Sequence, residues 1–290
     1  MAVTLSGREV SEEIKNRLKE KIAKENVSPL LTIVQVGNRE DSNVYIRMKI
    51  KYAEECGVKT DYTRLDRKIK EDELCKVIKQ LNESDLVHGI IVQLPFDCEN
   101  DINTDLITNL IDPKKDVDGL SNLNAGKLLH GQTKGDCFLP CTPNGCMELI
   151  RKSGIKIEGS RAVVIGRSKI VGSPMAQLLI WANATVTVLH SRSKNIPEIV
   201  KEADILVVAI GKAGFVKKEW VKKGAVVIDC GINAIKDETK KSGQRLVGDV
   251  EPDVKTVAGY MTPVPGGVGP MTVAMLISNT VDSAIEKKKN

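Results

Sequence analysis

Tyr45 and Lys49 stand four residues apart in Asp41-Ser42-Asn43-Val44-Tyr45-Ile46-Arg47-Met48-Lys49. On a helix that spacing puts the ring and the ammonium on one face. A lysine in an apolar cleft can have its pKa lowered enough to place or activate a water; on a solvated face the same spacing is an ordinary surface pair. Gln93 lies near the end of the apolar run His88–Leu94, which Pro95 stops. It therefore sits at the C-terminal end of a strand, where open α/β sheets place ligands. Further along, Val163-Val164-Ile165-Gly166-Arg167-Ser168-Lys169-Ile170-Val171-Gly172-Ser173-Pro174 reads as strand, tight loop and helix. Such a loop aims backbone N–H groups and a helix N-terminus at a phosphate. Gly166 permits the turn and Gly172 permits close helix packing. Ser168 stands where G-x-G-x-x-G has its second glycine and the third is displaced, so the motif alone fits a plain strand-to-helix turn equally well. The next strand runs out into His190-Ser191-Arg192-Ser193-Lys194, with no acid. Folds that bind NAD place Asp or Glu there for the ribose hydroxyl. Hydroxyls and cations, with Arg167 in the loop, suit a 2′-phosphate, and the sequence favours NADP over NAD; the alternative is a polar loop beside a basic surface. Ser191 next to His190 raises the possibility of a nucleophilic serine, but adjacent strand residues point to opposite faces, which weighs against a hydrolase of that kind.

These residues need elements to hold them. Ser6 with Glu9 forms a capping box, and Val10, Ile14, Leu18 and Ile22 follow at four-residue spacing, so a helix is predicted over 7–23. Strands are predicted at 30–36, 58–65 and 88–94, and helices at 41–56, stopped by Gly57, and 71–81. Strand and helix alternate, the pattern of a parallel sheet. Thr142-Pro143 opens a further helix to about Lys152, with Thr142 as cap. Gly154 and Gly159 flank the expected boundary. Strands at 161–165, 185–189, 205–210 and 225–229, with helices at 174–181 and 196–203, make a mononucleotide-binding succession. A last helix over 270–286 has its apolar stripe at Val273, Leu276, Ile277, Thr280, Val281 and Ala284. No partner for it is evident in the second region, so it is expected to return to the first. The fold class is therefore α/β with two domains: an N-terminal parallel-sheet catalytic domain, 1–148 plus 270–290, and a Rossmann-type domain over 149–269.

Composition narrows the classes. The chain has 290 residues, 41% hydrophobic and 28% charged, enough for two packed cores and unlike a disordered chain. Aromatics are 3%, so the cores must be aliphatic, and the ring platforms of single-strand nucleic-acid binders are missing. The net charge of +5 comes from 43 basic and 38 acidic residues spread along the chain, with a single dense run at Lys287-Lys288-Lys289. No nucleic-acid partner is expected. No C-x-x-C occurs among the seven cysteines. Cys137, Cys141 and Cys146 have no histidine at metal-ligand spacing, so buried thiols in a reducing compartment are expected, and no metal. The first residues lack an apolar signal region and no 18-residue apolar window exists, so neither secretion nor a membrane partner is expected and the protein reads as cytoplasmic.

Three further segments complete a family pattern. They are Asp41–Lys49, Val92-Gln93-Leu94-Pro95, and Pro263-Val264-Pro265-Gly266-Gly267-Val268-Gly269-Pro270-Met271-Thr272. With Asp116-Val117-Asp118-Gly119 and the Gly166 loop, the chain closely resembles the bifunctional methylenetetrahydrofolate dehydrogenase/cyclohydrolase family over about residues 5–285. The G-R-S-K-I-V-G loop and the H-S pair are similar to its eukaryotic cytosolic branch, where the domain is often fused to a formyltetrahydrofolate synthetase that these residues do not include. The resemblance implies NADP-dependent oxidation of 5,10-methylenetetrahydrofolate and hydrolysis of the methenyl product to 10-formyltetrahydrofolate. It makes Lys49 the key catalytic residue, with Gln93 tuning it, Tyr45 stacking on the aminobenzoate ring and Asp118 holding the pterin amino group and ring N–H. Ser42, Val92, Leu94, Pro265, Gly266, Gly267, Val268 and Gly269 join the substrate site. Gly166, Arg167, Ser168, Ser191 and Ile232 join the cofactor site, with Arg192 a weaker candidate. Asp116 is structural in this reading. A homodimer is implied by the resemblance alone. Two other readings stay open: an NADP oxidoreductase with a different small substrate, which leaves Tyr45, Lys49 and the proline-glycine segment unexplained, and an inactive folate-binding protein, which the intact Lys49, Gln93 and Asp118 disfavour.

Overall fold

The computed structural model describes residues 1–132, 135–239 and 243–289. These form two compact units: Met1–Ser11 with Thr142–Thr272, and Glu12–Cys141 with Val273–Asn290. Asn290, the end of the expected 270–290 segment, lies outside the described residues. The expected boundary after residue 148 falls inside the helix Cys141–Lys152, while the division itself falls at that helix's start and within the helices Gly7–Glu25 and Val268–Lys289.

The unit built on Glu12–Cys141 has a three-stranded parallel sheet in the order Lys59–Leu65, Leu30–Val36, Gly89–Gln93. The central strand LLTIVQV is buried at six of its seven positions, as an all-parallel strand covered on both faces must be. Its core continues into Leu74 and Ile78 of the helix Glu71–Glu83 and Ile107 of the helix Thr104–Leu110. The C-terminal helix packs here as expected. Asn279 Nδ2 donates to the carbonyls of Val117 and Leu139, and Ser283 Oγ to those of His88 and Lys114. Two helices went unread in the sequence, Thr104–Leu110 and Asn122–Leu129. Each is short and opens on a side-chain cap, Asn103 and Ser121 respectively, and neither is long enough to show a clear helical period.

The other unit carries a six-stranded parallel sheet, ordered Val3–Thr4, Tyr260–Met261, Val226–Asp229, Ile205–Val208, Arg161–Ile165, Thr185–Leu189. From the strand Arg161–Ile165 the chain goes first to one neighbour, the edge strand Thr185–Leu189, and then to the other, Ile205–Val208. Strand order reverses there, which makes the C-terminal ends of these three strands the place where such sheets bind ligands. An antiparallel pair, Asn233–Lys236 with Gln244–Val247, stands apart from the main sheet and was not anticipated. The sequence expectation for Thr142 needs correcting: the helix opens at Cys141, and the Thr142 hydroxyl bonds the hydroxyl of Thr272 at 2.9 Å instead of capping. The last helix likewise begins at Val268, so Val268 and Gly269 of the proline-glycine segment are helical.

Candidate functional site

In the unit built on Glu12–Cys141 the helix Glu40–Cys56 follows the central strand of the three and ends on Gly57 in the left-handed conformation that the αL cap requires. Its outer face leaves Val44, Tyr45 and Met48 exposed, a row of large apolar groups on a helix whose opposite residues Ile46 and Ala53 are buried. Lys49 is half-buried beside them, and its Nζ donates to Gln93 Oε1 at 2.9 Å. Gln93 is held in turn, its Nε2 donating to the carbonyl of Leu94 at 2.9 Å. This leaves Gln93 a defined acceptor for the lysine. Ser42 and Val92 are buried nearby in sequence, and Leu94 is half-buried. Burial raises the Tyr45 phenol, with the charge of Asp41 adding to it, so this ring stays neutral.

Asp116 and Asp118 divide the work of one turn. Asp116 is 1% exposed and accepts from the backbone N–H of Leu120 and Ser121 and from Asn124 Nδ2. Burial raises its pKa against the pull of these bonds. It closes the turn, as the structural reading of Asp116 has it. Asp118, two residues on, is half-exposed. It acts on Cys141, a buried thiol whose Sγ donates to the Val117 carbonyl. Burial holds that thiol well up, Asp118 adds to the effect, and Lys49 opposes it. Cys141 thus lies within reach of both charged groups. The sequence reading took it only as a small buried cysteine; its signal, a cysteine between two prolines ahead of a helix, says nothing about neighbours.

In the unit of Thr142–Thr272 the Gly166 loop leaves the strand Arg161–Ile165 at the point where strand order reverses. Gly166 N donates to the Leu189 carbonyl, and Ala209 N to the Ile165 carbonyl, so three strand ends meet here. Gly166 has φ 123°, and a Cβ at Gly172 would lie 2.3 Å from the Gly166 carbonyl oxygen. Only glycine lets the helix Gly172–Trp181 start this close to the loop. The Ser168 hydroxyl accepts from the N–H of Val171 and Gly172 at 3.1 and 3.4 Å, bracing the loop. Arg167, Ser191 and Arg192 are exposed. The strand ends at Leu189, so His190 and Ser191 lie in a turn and the argument from opposite strand faces does not apply to them. The His190 ring is occupied otherwise, its Nδ1 accepting from the Arg192 N–H. Ile232 is 47% exposed just past the buried strand Val226–Asp229. Pro265, Gly266 and Gly267 form a turn whose Gly266 carbonyl accepts from Arg8 N. Among the described residues no three His, Cys, Asp or Glu side chains gather as a metal set, and no helix is long and apolar enough to cross a membrane.

The chain matches known proteins along almost its whole length. Residues 5–118 match the catalytic domain of tetrahydrofolate dehydrogenase/cyclohydrolase and residues 140–288 its NAD(P)-binding domain. It is 55% identical to the cytoplasmic C-1-tetrahydrofolate synthase of Homo sapiens over 98% of its own length, and spans 31% of that larger protein. Among solved structures it is 42% identical, at TM-score 0.91, to the bifunctional methylenetetrahydrofolate dehydrogenase/cyclohydrolase FolD of Campylobacter jejuni, covering 98% of this chain and 99% of that one. The FolD of Trypanosoma brucei, solved with NADP cofactor and an inhibitor, is 40% identical at TM-score 0.92, covering 100% of this chain and 99% of that one.

Proposed function

The chain belongs to the tetrahydrofolate dehydrogenase/cyclohydrolase family, and from that membership we propose that it oxidises 5,10-methylenetetrahydrofolate with NADP and hydrolyses the methenyl product to 10-formyltetrahydrofolate. The observation that carries the reading is the 2.9 Å bond from Lys49 Nζ to Gln93 Oε1 beside the exposed ring of Tyr45. It supplies a cation with a fixed partner and a free apolar face in one place. The Tyr45 ring stacks on the aminobenzoate portion of the folate, and Ser42, Val92 and Leu94 border it. Asp118 accepts from the pterin amino group and ring N–H, a two-donor edge that matches a carboxylate.

For hydrolysis, Lys49 positions the attacking water at the methenyl carbon, and Gln93 fixes where the ammonium stands. Oxidation needs no protein acid or base. The folate nitrogen lone pair drives it, and the residues supply orientation. The Gly166–Gly172 loop fits a dinucleotide, because it lies where strand order reverses and its glycines admit a close backbone approach. Arg167 and Ser191 hold the 2′-phosphate, with Gly166, Ser168 and Ile232 against the rest. NADP bound there supplies the hydride acceptor. Pro265 to Gly269 join the substrate residues on resemblance alone, and the glycines among them admit a close backbone approach. We also assign the protein to the cytoplasm and to a homodimer, the latter on resemblance alone. The test is an absorbance assay with methylenetetrahydrofolate and either NADP or NAD. Methenyl formation faster with NADP, followed by enzyme-dependent decay, supports the reading. No methenyl formation with either dinucleotide removes it.

A further inference from the structure

Behind the Gly166 loop lie two buried carboxylates that the reading above does not use. Asp249 is 0% exposed and Asp229 2% exposed. Asp249 Oδ2 accepts from the N–H of Ile210 at 2.8 Å and of Gly211 at 3.0 Å. Its Oδ1 accepts from Lys212 N at 2.8 Å and Asn233 Nδ2 at 2.9 Å. Three successive backbone N–H groups converging on one anion form a nest, and Gly211 takes the left-handed φ of 64° that the turn needs. Asp229 holds the segment that carries Asp249. It accepts from the N–H of Asp249, Val250 and Gly231 at 2.9, 3.0 and 2.9 Å. Room for the two carboxylates comes from missing side chains: a Cβ at Gly248 would lie 1.8 Å from Asp229 Oδ2, and one at Gly231 would lie 2.4 Å from Asp249 Oδ1.

The bonds from Asp249 reach two segments at once. Ile210–Lys212 follows the strand Ile205–Val208, which pairs with Arg161–Ile165, and Ala209 touches the Gly166 turn: a Cβ on Gly166 would lie 2.4 Å from the Ala209 carbonyl oxygen. Asn233 and Gly231 flank Ile232. We propose that Asp249, braced by Asp229, is the positioning residue of the dinucleotide site. It fills an anion nest with the protein's own carboxylate, which denies that nest to the dinucleotide phosphates. It also ties the 210–212 and 231–233 segments in one register against the Gly166 turn. This rests on the reading of the Gly166 loop as the NADP site.

Asp249→Asn keeps the volume but turns one acceptor into a donor facing two N–H groups. Asn233→Ala is the milder variant, removing a single donor to Asp249. Hydrolysis of methenyltetrahydrofolate consumes no dinucleotide, so its rate in the same preparation gauges folding. The KM for NADP in the dehydrogenase assay should rise by at least tenfold in Asp249→Asn and a few-fold in Asn233→Ala, while the hydrolysis rate stays near that of wild type. A parallel fall of both activities in both variants, or an unchanged KM in folded Asn233→Ala, makes Asp249 merely structural and overturns the proposal. If Asp249→Asn does not fold, Asn233→Ala decides alone. Wild-type protein that shows no NADP-linked oxidation removes the underlying reading of the loop instead.

Discussion

The two units use their polar side chains in opposite ways. In the unit of Lys49, the side chains named for chemistry are themselves partly exposed, Lys49 inside a helix and Gln93 at a strand end, each with few partners: Lys49 on Gln93, and Gln93 on the Leu94 carbonyl. In the unit of Gly166, Arg167 and Arg192 stay exposed, while two carboxylates are turned inward. Asp249 and Asp229 are buried and spend their oxygens on backbone N–H groups, and Ser168 turns its hydroxyl back into its own loop. The first arrangement offers side chains to a ligand. The second offers a backbone shape that side chains hold. A side-chain site loses its chemistry when one residue changes, whereas a backbone site should lose affinity by degrees as its braces are removed.

The sharpest break in this comparison is at Lys49. Lys49→Gln should lower enzymatic hydrolysis on the order of 10²- to 10⁴-fold, the usual worth of a positioned acid–base group, while dehydrogenase activity falls less. Hydrolysis of methenyltetrahydrofolate at the wild-type rate, after subtraction of the uncatalysed rate, would remove Lys49 from the catalytic role.

The next effect belongs to Asp229. Burial raises its pKa to about 6, helped by the charge of Asp249 and opposed by the N–H groups of Asp249, Gly231 and Val250. That lies above the value of an unfolded aspartate, so the folded state binds the proton more tightly. The stabilisation from this group is therefore full below about pH 4 and is lost as pH rises to about 6. Comparing wild type with Asp229→Asn isolates it. The difference in unfolding free energy should shift in favour of wild type by about 2 kcal/mol as pH falls from 6 to 4, and stay flat above 7. A difference constant over the whole range would contradict the buried, brace-like role of this carboxylate.

Arg167→Ala should raise the KM for NADP far more than for NAD, by about tenfold to a hundredfold, since a charge-assisted contact is worth roughly 1.5–3 kcal/mol. Equal effects on both dinucleotides would take Arg167 off the 2′-phosphate. The smallest effect is at Ser168. Ser168→Ala should lower stability by about 1 kcal/mol, as loss of a side-chain cap does, with a few-fold rise in KM for NADP. An unchanged melting temperature with a large KM change would put the hydroxyl on the ligand and not on the loop.

The same contrast decides what could be read from the sequence. Tyr45, Lys49 and Gln93 were legible because their placement depends on local spacing: a helix period of four and a strand end marked by proline. The strands Leu30–Val36, Arg161–Ile165 and Thr185–Leu189 emerged with the expected bounds because runs of β-branched residues set them. Asp249 could not be found this way. Its partners Ile210, Gly211 and Lys212 lie 39, 38 and 37 residues away, joined to it only through the sheet. Cys141 was hidden for a similar reason, since its nearness to Asp118 and Lys49 is a matter of packing. Thr142 misled because its sequence signature, threonine before proline, is that of a cap, while its hydroxyl is taken by Thr272, 130 residues on.

The central claim is that one chain carries both reactions, with the Lys49–Gln93–Asp118 cluster serving each. The most direct measurement follows methenyltetrahydrofolate by absorbance on Lys49→Gln and Asp118→Ala protein beside wild type, starting from methylenetetrahydrofolate and NADP. Wild type should form the methenyl compound and then consume it. Lys49→Gln should form it and let it accumulate, decaying at the uncatalysed rate. Asp118→Ala should form little, because the pterin anchor serves both steps. Asp118→Ala with undiminished formation and loss of hydrolysis alone would show that the two reactions do not share this cluster, and would contradict the account.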